Sequence, residues 1–348
     1  QCCRGFLPAA LAAVSICHGP LAQAAVELKI TAGQATIQNE RISVRFDLAT
    51  GEYSGLDRSD GTDVFKNAWY RIGEGGWREP ELVCRAERKD RPDGRFGKGQ
   101  TLRVWYLPRE SYDPERFLDI TVWEEQPFFE IGWGIRNNKT HTLRVRAAEV
   151  LVNGELFHRQ QPLEPRVLRG GAGGDENFVE PTWMIKAVNS AMLTYKDRLA
   201  DNRRRTLVAG GMKYSEFIRT VEFHEKAKNR SPRVKKDGGP TLKSFMTLTI
   251  HDPQGKRVAP GKTWKSDDTF FVDISTGDPF ESLEGFGRTM ATANEADPHP
   301  YDFITLCGWM TSMGGLGDGL PVNNSPGLVG EMGIAKKTGL TDYTGIAV

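Results

Sequence analysis

The chain has 348 residues, enough for two domains and a sizeable hydrophobic core. Its 46 basic and 45 acidic residues give a formal net charge of +1, so no overall charge favours binding to nucleic acid or to acidic lipid. Its 38 glycines, 8 Trp and 17 Phe are typical of a turn-rich β protein with aromatic contact surfaces and argue against a largely disordered chain.

Residues 1–24 have the pattern of an export signal. Arg4 gives the segment a positive start, the apolar stretch FLPAALAAVSIC follows, and AQA at residues 22–24 is a small-x-small cleavage site. The apolar stretch is shorter than a membrane-spanning helix needs to be. We therefore expect a secreted or periplasmic protein that has no membrane contact after signal cleavage.

Residues 25–275 alternate apolar and polar side chains with period two. In RISVRFDL, Ile42, Val44 and Phe46 share one side of an extended chain, and TLRVWYL, RFLDITVW and FFEIGWGI repeat that alternation further along. Turn residues separate the runs, as at the Gln126–Pro127 break. Many short strands with few convincing helices predict one large antiparallel β-sandwich over residues 25–275.

The periodicity changes to that of a helix after residue 275. Asp278 is a predicted N-cap, Pro279 fits the first helical position, and Glu281 completes a capping box. Four apolar residues fall near one predicted helix face: Phe280, Leu283, Phe286 and Met290. We expect a linker helix within residues 276–299.

Residues 300–348 predict a strand, a glycine-rich loop, a helix and a second strand. The first strand surrounds Leu306, the helix runs from a cap at Ser325 to Gly339, and YTGIAV forms the second strand. Parallel strands joined by a helix belong to sheets that need several more strands, so this segment is expected to open a larger α/β domain. GGLGDG at 314–319 does not predict a nucleotide site, because LPVNNSP separates its glycines from the helix.

Two short stretches carry clustered positive charge. NRRR at 202–205 and EKAKNRSPRVKKDGG at 225–239 are predicted to be solvated loops, with a polyanion-binding patch as the alternative. The acidic pair Asp267–Asp268 lies beside a strand and is predicted to have a structural role. The sequence contains no GxxxxGK[ST], GxSxG or HExxH, and no motif in it predicts a cofactor.

Three stretches carry a family resemblance. HDPQGKRVAPGKTWKSDDTFFVDISTGDPFESLEGFGRTM at 251–290 joins a strand pair to the motif DPFESLE, and LCGWMTS at 306–312 is a strand with a Trp near its end. These stretches resemble the sandwich-to-barrel junction and the first barrel strand of glycoside hydrolase family 36, the melibiase or α-galactosidase family. LCGWMTS is also similar to the related raffinose-synthase-like proteins. RISVRFDLATGEYSGL at 41–56 resembles the opening hairpin of the family's β-supersandwich.

The resemblance implies a mainly β fold class. It implies an N-terminal antiparallel β-supersandwich of the galactose-mutarotase type, a linker helix, and the first β/α unit of a (β/α)8 barrel. A whole barrel takes roughly 250 residues, and residues 300–348 supply only its beginning. The family's two catalytic carboxylates lie on later barrel strands, so the resemblance places them beyond Val348 and implies that this fragment alone is inactive.

The resemblance further implies an exported retaining glycoside hydrolase that acts on α-galactoside-type oligo- or polysaccharides. A carbohydrate partner follows from this function, with no cofactor, no metal and no nucleic acid, and homo-oligomerisation stays open. The alternative is a non-catalytic carbohydrate-binding sandwich or an aldose-epimerase-like sandwich. Epimerase chemistry needs a His and a Glu that converge as acid and base, and the sequence pairs none of the strand histidines with an obvious carboxylate.

Five residues are candidate sugar contacts. Trp309 ends FITLCGW on the face where barrels build active sites, and its indole is expected either to pack on a sugar ring or to fill the barrel rim. Asn323 and Asn324, in the loop that follows, are candidate hydroxyl partners or structural helix-entry residues. Family 36 sandwiches lend an aromatic residue to the sugar pocket, and this points to Trp183 or Phe178 in RGGAGGDENFVEPTWM at 169–184.

Overall fold

The structure is a computed structural model that describes residues 25–73, 82–108, 114–170, 178–179, 184–213, 215–224, 244–274, 277–296, 304–307, 337 and 344–347. The chain divides into two compact units, residues 1–294 and 295–348. Within the described ranges, the first unit consists of strands, one α-helix and a short 3-10 helix at Arg198–Ala200, and the second contains two short strands.

The strands of the first unit, in chain order, are β1 Glu27–Ile30, β2 Gln34–Gln38, β3 Ile42–Asp47, β4 Glu52–Asp57, β5 Thr62–Ile72, β6 Leu82–Gly94, β7 Gly97–Pro108, β8 Glu115–Trp123, β9 Phe128–Arg136, β10 Leu143–Leu156, β11 Pro162–Arg169, β12 Phe178–Val179, β13 Met184–Val188, β14 Ser190–Asp197, β15 Arg203–Gly211, β16 Ile218–His224, β17 Ser244–Val258, β18 Thr263–Lys265 and β19 Phe270–Asp273. The helix α1 is Pro279–Ala293, and the strands of the second unit are β20 Ile304–Cys307 and β21 Thr344–Ala347.

The strands of the first unit form two antiparallel sheets. Sheet A has the order β1-β2-β3-β4-β5-β10-β17-β16-β13. Sheet B has the order β12-β11-β14-β15-β19-β9-β8-β7-β6, and β18 also pairs with β9. Apolar side chains from both sheets form one buried core between them. The predicted mainly β fold with an antiparallel sandwich is therefore confirmed.

The core follows the predicted alternation. Ile42, Val44 and Phe46 of β3 are completely buried, whereas Arg45 between them is exposed. Each such apolar side chain contributes roughly 1.5–3 kcal/mol of burial free energy, which holds one face of the strand against the core. The break at Gln126–Pro127 lies between β8 and β9, as predicted.

The helix α1 begins as predicted. The side chain of Asp278 accepts hydrogen bonds from the backbone N–H groups of Phe280 at 2.8 Å and Glu281 at 3.0 Å, and these bonds satisfy two donors that the first helical turn leaves free. Pro279 occupies the start of the helix, where its missing N–H costs nothing.

The helix α1 packs on the outer face of sheet B, the face turned away from the core. Phe286 packs on Phe271 of β19 with ring centroids 5.1 Å apart, and Leu283 and Met290 join the same apolar cluster. Phe280 was predicted to face inward but is 75% exposed. With 3.6 residues per turn, it lies about 90° around the helix from the centre of the packed face.

The basic stretch at 202–205 is solvated only in part. Asn202, Arg203 and Arg204 are exposed, as predicted, but the three arginines begin β15 rather than lie in a loop, and Arg205 is buried. Arg205 contacts Asp60 through Nη2 and Oδ2 at 2.6 Å, and Asp197 through Nε and Oδ2 at 3.3 Å. Since both carboxylates supply countercharge, the guanidinium can be buried. Residues 225–239, the second basic stretch, lie outside the described residues.

Asp268 has a structural role, as predicted. Its carboxylate accepts hydrogen bonds from the backbone N–H groups of Ser215 at 2.8 Å, Glu216 at 2.8 Å and Phe217 at 3.1 Å, and it forms an ion pair with Arg219. Asp268 thus satisfies the backbone donors of the segment that leads into β16.

The two strands of the second unit are parallel. Ile304 lies opposite Thr344, and Cys307 lies opposite Ala347. Lys337, between the strands in sequence, is helical. The strands coincide with the predicted strand around Leu306 and with YTGIAV, while the predicted loop and most of the predicted helix lie outside the described residues. The described part of the chain has no helix that combines the length and hydropathy of a membrane span.

Candidate functional site

Most of the predicted sugar contacts lie outside the described residues, namely Trp183, Trp309, Asn323 and Asn324. Phe178 begins β12, the edge strand of sheet B, where its backbone lies opposite Leu168 of β11. All five residues remain predictions.

The outer face of sheet A, turned away from the core, carries buried polar side chains. Along β17, Met246, Leu248 and Ile250 belong to the core, so Thr247 and Thr249 between them point to the opposite face. The same alternation along the neighbouring strands defines a group that we call the outer-face cluster: Trp69, Arg71, Glu149, Thr220, Glu222, His224, Thr247 and Thr249.

The pairing register aligns part of the outer-face cluster in a row across four strands. Arg71 of β5 lies opposite Glu149 of β10, Glu149 lies opposite Thr249 of β17, and Thr249 lies opposite Thr220 of β16. Cross-strand neighbours on one face have Cβ atoms about 4.5–5.5 Å apart, so each of these side chains can reach the next.

A buried ion pair stands at one end of this row. Nε of Arg71 donates a hydrogen bond to Oε2 of Glu149, and the two residues are 4% and 3% exposed. The guanidinium carbon of Arg71 lies 5.4 Å from the centroid of the Trp69 ring. The charge-assisted bond offsets the desolvation of both groups and fixes their positions.

Two polar atoms beside the ion pair, Trp69 Nε1 and Thr249 Oγ1, have no hydrogen-bond partner among the described residues. Trp69 is 4% exposed and Thr249 is 6% exposed. An unpaired buried polar group costs about 1–3 kcal/mol, and proteins usually satisfy such groups with water or ligand. The indole N–H can donate one further hydrogen bond, and the hydroxyl can donate or accept one.

A histidine and a glutamate share this face on β16. His224 Nε2 lies 3.0 Å from Thr247 Oγ1, and the His224 ring stacks on Phe245 with centroids 5.8 Å apart. Oε1 of Glu222 lies 3.7 Å from Nζ of Lys186 on β13. An imidazole and a carboxylate are the two types of group that acid–base chemistry on sugars uses. The described residues include no group of three or more His, Cys, Asp or Glu arranged to hold a metal.

The alternation that places the outer-face cluster on one side of its strands is visible in the sequence, but the burial of that side is not. In TVEFH at 220–224 and MTLT at 246–249, polar and apolar residues alternate. Such alternation ordinarily marks one buried and one solvated face, so it does not predict a buried polar face. The cluster depends on pairing between strands that are far apart in sequence, and one strand alone does not encode this pairing.

No family model matches this chain, and no curated protein matches it. Several solved structures have a partly similar shape. A mutant of the α-N-acetylgalactosaminidase NagBb from Bifidobacterium bifidum aligns with a TM-score of 0.46 and 9% identity over 78% of this chain and 43% of that chain. A variant of the GH36 α-galactosidase AgaA from Geobacillus stearothermophilus, in complex with raffinose, aligns with a TM-score of 0.46 and 11% identity over 80% of this chain and 46% of that chain.

A putative mutarotase, YeaD from Salmonella typhimurium, aligns with a TM-score of 0.41 and 8% identity over 72% of this chain and 94% of that chain. The present chain thus spans less than half the length of the two glycosidases. With TM-scores below 0.5, these likenesses assign neither a family nor a function to the chain.

Proposed function

We propose that this chain is the N-terminal part of an exported retaining glycoside hydrolase that acts on α-galactoside-type oligo- or polysaccharides. Residues 1–24 direct export, the sandwich supports the catalytic domain, and β20 and β21 are the first two strands of a (β/α)8 barrel. The catalytic carboxylates belong to the part of the protein that follows Val348.

The parallel pairing of β20 with β21 carries this proposal. The strand pairs of sheets A and B are antiparallel, so the pairing mode changes after α1. Residues 308–343 connect the two strands, and Lys337 within this connection is helical. A parallel pair with a helical crossover is the repeating unit of the barrel.

The resemblance of residues 251–290 to the family 36 junction supports the substrate class. The helix α1 begins within the DPFESLE motif of that junction. Trp309 follows the end of β20 by two residues, on the side where barrels place their active sites, and we assign it sugar stacking. Asn323 and Asn324 are proposed hydroxyl contacts. Trp183 or Phe178 is the proposed aromatic contribution of the sandwich.

The test is the coding sequence beyond Val348, followed by the activity of the complete protein. We expect further β/α repeats and hydrolysis of p-nitrophenyl α-galactoside, with α-galactose as the first product in proton NMR spectra. The present chain alone should give no turnover, because it lacks the catalytic carboxylates. A stop codon directly after Val348, or a complete protein inactive on α-galactosides, would overturn the proposal.

A second candidate is a sandwich that binds or epimerises free sugars, and the histidine and glutamate of the outer-face cluster favour it. His224 and Glu222 lie on the same face of β16 and can act as acid and base. The purified chain would then accelerate the mutarotation of α-galactose in a polarimeter, and Glu222→Gln would remove the acceleration. A rate equal to the spontaneous one excludes epimerisation.

A further inference from the structure

A groove lies between α1 and three turns of the sandwich, the β2–β3, β6–β7 and β8–β9 turns; we call it the α1 groove. Its volume is about 600 Å³, within the range of about 300–1,000 Å³ found for small-molecule sites. The buried rings of Phe128 and Phe271 form part of its lining. None of the residues that line the α1 groove belongs to the outer-face cluster, so the two are separate.

Hydrogen bonds fix the walls of the α1 groove. Arg95 Nη1 donates to the carbonyl oxygens of Thr292, at 3.1 Å, and Ala293, and so joins the β6–β7 turn to the last turn of α1. The buried Asn39 donates from Nδ2 to the carbonyl oxygens of Trp123 at 2.7 Å and Gln126 at 2.8 Å, and so joins the β2–β3 and β8–β9 turns. Because these hydrogen bonds already hold the walls in place, little conformational entropy is lost there when a ligand binds.

The charges that line the α1 groove cancel. Three guanidinium groups and three carboxylates line it, from Arg41, Arg95, Arg288, Asp273, Glu281 and Glu284. A charged ligand would meet as many like charges as opposite ones. A neutral ligand with many hydroxyl groups can donate to the carboxylates and accept from the guanidinium groups, so the lining suits a sugar.

Phe96 gives the α1 groove a positioned aromatic ring. It lies in the β6–β7 turn, where polar residues are usual, and it is only half-buried. The Phe96 ring centroid lies 5.1 Å from that of Trp123 and 5.5 Å from that of Phe128, in edge-to-face contacts. These contacts hold the ring in place, and its remaining exposed surface is available for the apolar face of a sugar.

We propose that the α1 groove binds a short neutral oligosaccharide at a site separate from catalysis. The inference goes beyond the proposed function, because groove binding requires neither the barrel nor its carboxylates. The complete protein can therefore be an active glycosidase even if the α1 groove binds no oligosaccharide. Conversely, the α1 groove can bind an oligosaccharide even if the complete protein does not hydrolyse α-galactosides.

Two glycines of α1 provide a matched test. Gly285 lines the α1 groove, whereas Gly287, two residues later, is exposed and is not part of the lining. A Cβ added at either position meets nothing within 4 Å, so both helix positions accept a side chain. Leucine favours helix more than glycine does, so both Gly285→Leu and Gly287→Leu should fold, with melting temperatures at or above that of the parent.

The test measures binding of raffinose, stachyose and cellotetraose to the full chain by saturation-transfer NMR and calorimetry, with trigalacturonate as the acidic probe. We expect at least one neutral probe to bind with a Kd below about 1 mM and trigalacturonate to bind at least about tenfold more weakly. Gly285→Leu should raise the Kd of the neutral probe at least about tenfold, while the Kd for Gly287→Leu should stay within about twofold of the parent value. Phe96→Leu, which keeps an apolar side chain, should also raise this Kd.

Three outcomes overturn the proposal. The first is that none of the neutral probes binds the full chain. The second is that a neutral probe binds Gly285→Leu as tightly as it binds the parent. The third is binding that survives Gly285→Leu but is lost in Thr249→Val, which would assign the sugar to the outer-face cluster.

Discussion

Arg71 and Glu149 face each other across β5 and β10 and form an ion pair that is almost completely buried, although 78 residues separate them in sequence. The pair lies on the face of sheet A that is turned away from the core. It anchors the outer-face cluster, because Thr249 lies directly opposite Glu149 on the next strand. Removing one partner therefore tests both the stability of the sheet and the integrity of the cluster.

Glu149→Ala should destabilise the protein by about 3–5 kcal/mol, because it leaves the Arg71 guanidinium buried without its carboxylate. Urea unfolding followed by tryptophan fluorescence measures the change. The double variant Arg71→Met with Glu149→Met should recover most of the loss, since apolar side chains of similar size need no countercharge. A Glu149→Ala variant within about 1 kcal/mol of the parent would show that the pair is not buried in solution.

Asp119 predicts how stability changes in acid. Arg103 donates to its two carboxylate oxygens at 2.7 and 2.8 Å, and Lys265 Nζ lies 2.9 Å from Oδ2. Burial by itself raises the pKa of Asp119, but the hydrogen bonds and charges of Arg103 and Lys265 outweigh burial and lower the pKa overall. The ionised Asp119 carboxylate therefore stabilises the folded protein fully above the pKa of Asp in the unfolded chain, about 3.9. This contribution is lost as the pH falls through the lower pKa of Asp119 in the folded protein.

Asp119→Asn should reduce the free energy of unfolding by about 1–3 kcal/mol at pH 7. The difference from the parent should shrink as the pH falls below about 4, because the parent carboxylate becomes protonated there. Urea titrations between pH 2 and pH 7 measure both effects. Glu27→Gln, which removes an exposed pair with Lys29, is the matched control and should change little. A pH-independent Asp119→Asn difference would contradict the assigned pKa direction.

Gly210 of β15 controls the docking of α1 on sheet B. A Cβ at this position would lie 2.5 Å from Cζ of Phe286, well inside van der Waals contact. Gly210→Ala should therefore cost about 1–3 kcal/mol through overpacking. Phe286→Ala removes the clash with the ring and leaves the contact of the new Cβ with Ser190 Cβ at 2.8 Å, so the same change should cost less in that background. Thermal unfolding of the four proteins in this cycle gives the coupling. Additive effects would mean that α1 does not pack on Gly210.

Trp309→Ala in the complete enzyme separates the two readings of that residue. If the indole stacks on the sugar, the loss of about 1–3 kcal/mol of contact should lower kcat/KM roughly ten- to hundredfold with the fold intact. If Trp309 fills the barrel rim instead, the cavity should cost about 3–5 kcal/mol of stability. Kinetics and melting temperature measured on the same variant distinguish sugar stacking from a role in the barrel rim. A large drop in melting temperature with near-parent kinetics defeats sugar stacking.

Local features of the sequence determined the strands and the start of α1. The alternation of Ile42, Val44 and Phe46 is enough to specify a strand with one buried face, because a strand turns successive side chains to opposite sides. The Asp278 cap likewise depends on backbone donors two and three residues away. Such signals are readable from the chain alone because every interacting group lies within a few residues of its partner.

Only the tertiary structure decided which polar residues are buried. Arg205 belongs to a stretch that reads as solvated, but its countercharges come from Asp60 and Asp197, and the first of these lies 145 residues away. The outer-face cluster likewise forms because β5, β10, β17 and β16 are neighbours in sheet A. Much of this burial depends on partners that distant strands supply, and the pairing of distant strands is not encoded in any one of them.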